Sequence, residues 1–362
     1  MQDEVEEPVD GIEGSAESVE SPVADRSIPS RFRSLRDARG RFWCPWLPRE
    51  DQVHTAFDMV RWSWQRFRHG VPPDPAPGSI PVLPGDLSTL GAEDCVLWVG
   101  HSTVLVRVGG VTILTDPVWS ERVSPVRWAG PRRFQPPGLP FDRLPPLDVV
   151  LISHDHFDHL DRRTVRALAR GQGGSARWFA PLGHERWLRR QGVRRVTEMD
   201  WWGVEEVHGM GEGGITLTAV PAQHWTRRTA FSTNARLWCG FVLDVAAPSG
   251  RRRIYFPGDS GYFGGFEIIG SRLGPFDLTL MPIGAYEPRW FMRFAHMNPE
   301  EAVRAYRDTG AEGLMVTTHW GTFRLTDEAP LEPPVRARQA WTDAGLPPEN
   351  LKILRHGEAV LL

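Results

Sequence analysis

The chain has 362 residues, 41% hydrophobic and 24% charged, with 36 glycines and 32 prolines, which describes a globular protein rich in turns, long enough for one large domain or two ordinary ones. No apolar run approaches the roughly 18–20 residues that cross a bilayer, and the start of the chain lacks the basic-then-apolar pattern of a secretion signal. The net charge of −3 hides an asymmetry: residues 1–25 hold nine acidic and no basic side chains, so −9 sits there and +6 on the remainder. That positive charge is nearly all arginine, since Lys352 is the only lysine. Arginine suits bidentate phosphate recognition, though a compositional bias of the genome would look the same. With no lysine-rich arm, no aromatic stacking module and only a mild positive charge, no nucleic-acid partner is expected. Cys44, Cys95 and Cys239 lack C-x-x-C spacing and are expected to be reduced and buried, as in the cytoplasm.

In chain order, residues 1–29 are acidic and poor in aromatics, so a disordered tail is expected. Residues 30–91 read as an arm on the main domain. It opens with an Arg- and Pro-rich stretch bearing Phe42, Trp43 and Trp46 and ends in a Pro-rich linker over 71–86. Between them the spacing of Phe57, Val60, Trp64 and Phe67 predicts a helix, with Arg61 and Arg68 off that face. Such a stripe either lies on an anionic membrane or packs on its own domain, and packing is the expectation here. Residues 92–362 read as a single domain. Strands are expected at 95–99, 103–108, 111–115, 149–153, 215–222, 237–245, 253–257, 278–282 and 314–318, with Gly109-Gly110 as a hairpin turn. Helices fit 162–170, 184–191, 299–308 and 334–344, the third with Asn298 as N-cap and Pro299 at its first position. Strands and helices mixed in two successive halves predict a layered α/β fold.

The densest chemistry is the run His154-Asp155-His156-Phe157-Asp158-His159, directly after the apolar Val149-Val150-Leu151-Ile152. Imidazole and carboxylate are ligands for zinc and similar divalent metals. The run holds too many of them for one ordinary site, which suggests a strand ending in a loop that feeds two adjacent metals. Other strands end the same way: 111–115 in Asp116, 215–222 shortly before His224, 253–257 before Asp259, and 314–318 in His319. A lone His or Asp there is usually a surface group or a cap. Five strand ends bearing such groups instead point to one shared edge, where layered α/β folds commonly build sites.

The H-x-H-x-D-H run, with later His, Asp and His at strand ends, resembles the metallo-β-lactamase superfamily. That resemblance implies a four-layer αββα sandwich and a dinuclear zinc site. A narrower resemblance, to the N-acyl-phosphatidylethanolamine phospholipase D family, rests on Trp98-Val99-Gly100-His101-Ser102-Thr103, Leu114-Thr115-Asp116-Pro117, Gly258-Asp259-Ser260-Gly261-Tyr262, the block PIGAYEPRWFM over 282–292, and Thr318-His319-Trp320-Gly321-Thr322-Phe323. It extends from Phe42 to the C-terminus. It implies that His154, His156 and His224 hold one zinc, that Asp158, His159 and His319 hold the second, and that Asp259 bridges both. Asp116 is implied to orient a ligand imidazole, and His296 to stand near the scissile phosphate. Tyr286, Trp290, Phe291 and Phe157 are the expected substrate contacts. The same ligands accept manganese or iron.

The implied reaction is hydrolysis of N-acyl-phosphatidylethanolamine to an N-acylethanolamine and phosphatidic acid by a hydroxide bridging the metals. The implied setting is the cytoplasm, with peripheral contact at the inner face of the membrane and a homodimer as in animal relatives. Asp155 and Phe157 depart from the family, whose animal members carry Asn and Tyr there. Rival readings are a general or cyclic-nucleotide phosphodiesterase, a lactonase or β-lactamase-like hydrolase, and a metal-stabilised membrane-interaction module without turnover.

Overall fold

The computed structural model describes residues 29, 32–52, 54–85, 91–210, 213–247 and 250–362. Apart from residue 29, the expected acidic tail lies outside the described residues. The arm contributes a short ribbon, β1 (Leu35–Arg36) with β2 (Phe42–Trp43), and helix α1 (Ala56–His69). Next come β3 (Cys95–Gly100), β4 (Thr103–Val108), β5 (Val111–Thr115), β6 (Val149–Leu151), α2 (Arg162–Arg170), β7 (Arg177–Pro181), α3 (Glu185–Arg190) and β8 (Val196–Met199). The second half runs β9 (Val204–Val207), β10 (Ile215–Val220), β11 (Gly240–Ala247), β12 (Gly250–Phe256), α4 (Gly265–Leu273), β13 (Leu278–Pro282), α5 (Arg289–Met292), α6 (Pro299–Asp308), β14 (Leu314–Thr318), α7 (Glu332–Asp343), β15 (Leu351–Lys352) and β16 (Ala359–Leu361).

Two seven-stranded sheets result, ordered β16-β3-β4-β5-β6-β7-β8 and β15-β14-β13-β12-β11-β10-β9. Each is mixed: β3 to β5 and β9 to β12 pair antiparallel, while β5 to β8 and β12 to β15 pair parallel. Alternation along the strands decides which side each residue serves. Val96 and Trp98 of β3, with Val149 and Leu151 of β6, join Leu217 and Ala219 of β10 and Phe241 and Leu243 of β11 in one core between the sheets. The alternate residues Leu97, Val99 and Val150 pack with Val165 and Leu168 of α2 and Leu188 of α3. Phe266, Ile269, Tyr306 and Trp341 bring α4, α6 and α7 onto the second sheet. The architecture is therefore the four-layer αββα sandwich of the metallo-β-lactamase fold.

Local chemistry explains the helix starts. Asn298 accepts from the Glu301 N–H at 2.8 Å while Glu301 accepts from the Asn298 N–H at 3.0 Å, a reciprocal cap with Pro299 at the first position. Thr55 and Asp58 cap α1 in the same way. That helix corrects the packing expectation. Phe57, Val60, Trp64 and Phe67 are 74%, 66%, 54% and 90% exposed. A different face holds α1 to the domain: the Trp62 indole donates to Asp327, Arg66 pairs with Asp327 at 3.3 Å, and Gln65 accepts from the Trp290 indole at 2.9 Å. Polar anchoring leaves the apolar stripe uncovered. Among the described residues, no helix is long and apolar enough to cross a membrane.

Candidate metal centre

Strand ends from both sheets deliver the polar groups. The loop after β6 carries His154 to His159; β5 ends at Asp116, β14 at His319 and β12 shortly before Asp259. Close approach of β6 and β12 requires Gly258, whose φ is +64° and where a Cβ would lie 2.6 Å from Ser153 Cβ. Asp116 and His319 also take positive φ, 31° and 61°, so the chain accepts strain where it turns these side chains inward.

The structure brings together every sequence-predicted ligand. His156 Nδ1 lies 2.9 Å from His154 Nε2 and 3.2 Å from His224 Nε2. Beside this trio, His159 Nε2 is 3.4 Å from Asp158 Oδ2 and 3.2 Å from His319 Nε2. Asp259 Oδ2 stands between the sets, 3.0 Å from His159 Nε2, 3.2 Å from His319 Nε2 and 3.9 Å from both His154 Nε2 and His224 Nε2. All these residues except His156 and Asp158 are buried.

Neighbouring groups settle which nitrogens carry lone pairs. His159 Nδ1–H donates to Asp116 Oδ2 at 2.7 Å, and His224 Nδ1–H donates to the Ala295 carbonyl at 3.0 Å. Asp116 is itself fixed by the Ser153 N–H at 2.7 Å and the Ser153 hydroxyl at 2.5 Å, leaving that hydroxyl to accept from His154 Nδ1 at 2.9 Å. The Nε2 atoms of His154 and His224 therefore face the centre as acceptors, and that of His159 faces it too and becomes one when its proton leaves. Lone pairs this close repel unless a cation lies between them. Tetrahedral zinc with Zn–N of about 2.0–2.1 Å puts its ligand nitrogens about 3.3 Å apart, near the separations found. Asp259 Oδ1, buried and without a hydrogen-bond partner among the described residues, adds an unused lone pair that can bind a metal. The donor set fits two divalent metals.

Electrostatics agree with a site poised to exchange protons for metal. Burial alone raises the Asp158 and Asp259 carboxyls, but the neighbouring His159 and His319 charges hold both well below the usual carboxylate range. Burial and mutual repulsion push His224 down to about 3, while at His156 burial outweighs the nearby carboxylates and leaves about 4. Burial also opposes charge on His319, yet Asp259 and Asp158 outweigh it and raise its pKa to about 9. Metal binding must expel the protons of His159 and His319, whose pKa values the neighbouring carboxylates raise against the effect of burial, that of His319 to about 9. Zinc affinity of the chelator-stripped protein should therefore climb with pH towards about 9, with proton release on binding. Competition titration against a chelator across pH checks this; a flat profile contradicts it. Asp116→Ala should weaken metal affinity about 10–100-fold, because His159 loses the carboxylate that fixes its tautomer. The same competition titration reads the change.

His296 stands at the open edge, with Nδ1 3.9 Å from Asp259 Oδ2, its side chain 13% exposed and its carbonyl accepting from Arg289 Nη1 at 3.0 Å. His101 is the residue that sequence reasoning missed. It follows β3 at φ 55°, is buried, places Nε2 2.9 Å from Asp158 Oδ2, and lays its ring 4.0 Å from that of His319. Burial and His319 push its pKa down to about 3, so the neutral ring donates to Asp158 and aims that carboxylate. The signal was available: His101 too follows a strand.

The expected substrate contacts divide. Tyr286 is fully buried with its hydroxyl on Glu332 at 2.9 Å; this corrects its placement at the substrate, since no face is left for a ligand. Phe291 is also buried, stacked on His54 at 3.4 Å and near Trp62 at 4.8 Å, so it anchors α1. Trp290 is half-buried under Arg61 at 4.1 Å. Phe157 is half-buried and lines a cleft beside the centre. Asp155 brings no free charge to the site: its buried carboxylate pairs with Arg236 Nη1 at 2.6 Å.

Comparison with known proteins agrees with this geometry. A family model for the beta-lactamase superfamily domain matches residues 111–320, which contain all seven ligand candidates. The chain belongs to the metallo-β-lactamase superfamily. Within the superfamily it is 44% identical over 243 residues to the N-acyl-phosphatidylethanolamine-hydrolyzing phospholipase D 1 of Caenorhabditis elegans, covering 65% of this chain and 66% of the nematode protein. It is 34% identical over 238 residues to the mitochondrial N-acyl-phosphatidylethanolamine-hydrolyzing phospholipase D of Saccharomyces cerevisiae, covering 65% of this chain and 49% of the yeast protein. The chain thus matches about two thirds of one relative and half of the other. A metallo hydrolase structure from the archaeon Ignicoccus hospitalis shares the fold, with TM-score 0.54, 21% identity, and 74% of this chain and 98% of that one covered. The protein is a metal-dependent hydrolase of this superfamily.

Proposed function

We propose that the chain is a dinuclear zinc hydrolase that cleaves a phosphodiester in the phospholipase D manner, turning N-acyl-phosphatidylethanolamine into phosphatidic acid and an N-acylethanolamine. The observation that carries this reading is the placement of Asp259 between two imidazole sets with His296 at the open edge, in a chain 44% identical to a relative named for that activity. His154, His156 and His224 would hold one metal, Asp158, His159 and His319 the other, and Asp259 both. Two such metals supply a water nucleophile at neutral pH and neutralise charge on the phosphoryl oxygens.

The chain's own residues do the rest. Asp116 and the Ala295 carbonyl fix the imidazoles of His159 and His224, and His101 fixes Asp158. Burial lowers the His296 pKa to about 3. Its neutral ring therefore acts first as an N–H donor to a phosphate oxygen, not as a strong acid. For lipid access, α1 presents Phe57, Val60, Trp64 and Phe67 to solvent beside Arg61 and Arg68, the pattern of a helix lying on an anionic bilayer. Its ties through Trp62, Gln65 and Arg66 to Trp290 and Asp327 support a reading in which α1 meets the cytoplasmic face of the membrane beside the block that leads to His296.

The test is a substrate panel on metal-quantified protein: N-acyl-phosphatidylethanolamine, bis(p-nitrophenyl) phosphate, a lactone and a β-lactam. Turnover of both phosphodiesters and neither carbonyl substrate is expected. A preference for lactone or β-lactam overturns the reading, and turnover of the small diester alone limits it to a general phosphodiesterase. Replacing Phe57, Trp64 and Phe67 with Ser should weaken vesicle binding about tenfold or more, from the apolar area each ring would bury. Turnover of the soluble diester should hold. Unchanged vesicle sedimentation would remove α1 from the membrane reading.

A further inference from the structure

Beside the metal centre lies a cleft of about 890 Å³ whose lining holds eight arginines and only two carboxylates, Glu121 and Asp161. Neither carboxylate is free to balance them. Glu121 pairs with Arg132 at 2.5 Å. Asp161 caps α2, accepting from the Arg163 N–H, the Ser120 N–H and the Thr164 hydroxyl. Arg163 and Arg166 of α2 and Arg190 of α3 make no ion pair among the described residues. A compositional bias would scatter arginines over the surface; here α2, α3 and two loops bring them to one concavity.

The cleft is also joined to the metal centre. Arg228 lies over the Phe157 ring at 4.4 Å and the Trp187 ring at 4.6 Å and donates to the Asp155 carbonyl at 2.9 Å. Arg236 pairs with the Asp155 carboxylate. Phe157 of the ligand run thus lines the cleft, and Arg228 and Arg236 tie the cleft to Asp155 of the same run. Each guanidinium fork matches two oxygens of a phosphate, and a concave basic surface focuses positive potential. A zwitterionic headgroup would leave all of this charge unbalanced, whereas a dianion offsets part of it.

We propose that this cleft is a binding site for a dianionic phosphate group, as in a phosphate monoester or a pyrophosphate, separate from the diester cleaved at the metals. It gathers molecules carrying such a group against the wall of the active centre, and it does so whichever diester the metals cleave. The group arrives either on a soluble molecule or on a lipid headgroup.

The experiment compares the metal-loaded wild-type chain with the Arg163→Ala/Arg166→Ala/Arg190→Ala variant, and with Arg166→Glu as a second, single-site variant. Inorganic pyrophosphate is titrated calorimetrically. In parallel, phosphatidylcholine vesicles with and without phosphatidic acid are sedimented with each protein. Hydrolysis of bis(p-nitrophenyl) phosphate, expected to stay within about twofold because these side chains lie outside the centre, reports on the metal site separately. A loss of about tenfold or more in pyrophosphate affinity in both variants supports the site with a soluble ligand. Loss only of the extra binding conferred by phosphatidic acid supports it with a lipid ligand. Variants that bind both probes as the wild type does, or a wild type that binds neither, overturn it.

Discussion

Asp259→Ala should lower diester hydrolysis about a thousandfold or more, the scale of losing several kcal/mol of charge stabilisation in a metal site. Among the described residues, Asp259 Oδ2 is the one carboxylate oxygen within 3.9 Å of imidazoles from both sets. Its loss would remove the proposed shared ligand and leave His159 and His319 with less negative charge beside them. Steady-state kinetics with metal quantification measures the effect, and circular dichroism checks the fold, which rests on the two-sheet core. Wild-type turnover in this variant contradicts the assigned role.

Arg236→Ala should destabilise the protein by about 3–5 kcal/mol, the usual cost of stranding one charge of a buried pair. Asp155 is fully buried, and its Oδ2 depends on Arg236 at 2.6 Å, while its Oδ1 has no hydrogen-bond partner among the described residues. Since Asp155 separates His154 from His156, the loss should also loosen metal binding. The double variant Asp155→Asn/Arg236→Ala should recover most of the stability, because residue 155 then carries no buried, unpaired charge. Urea unfolding of the metal-loaded proteins reads both effects; equal stability of Arg236→Ala and wild type would show that the pair contributes little.

The site was legible in the sequence because its information is local. Each candidate ligand sits at or soon after the end of an apolar, β-branched run, so a strand pattern and one residue type locate it. His101 escaped because its strand, β3, turns straight into β4 through a positive-φ residue, which makes the hairpin look like connecting structure. The ion pair of Asp155 with Arg236 joins positions far apart in the chain and leaves no local mark, so the sequence showed Asp155 only as a departure from the family. The arginine cleft has the same origin: its parts come from α2, α3 and loops that only the fold brings together.

Secondary structure shows the same division. Long alternating strands such as β10 and β11 were readable, whereas β8 and β9 are short and only partly buried. Helix α4 was missed because Gly265 and Gly270 lower its intrinsic helix preference. Gly270 is there for packing, since a Cβ would meet the Thr309 carbonyl oxygen at 2.4 Å. For α1 the helical period was readable but its packed side was not. Periodicity identifies a stripe, and burial depends on whether another element covers it; here Asp327, Trp290 and Phe291 claim the other side.

The most direct test of the central claim is turnover of N-acyl-phosphatidylethanolamine by the metal-loaded protein in heavy-oxygen water, with both products analysed by mass spectrometry. Attack on phosphorus at a two-metal centre predicts the label in the phosphatidic acid and none in the N-acylethanolamine, with activity lost on chelation and restored by zinc. Label in the N-acylethanolamine or in a released fatty acid, or turnover that survives metal removal, would contradict it.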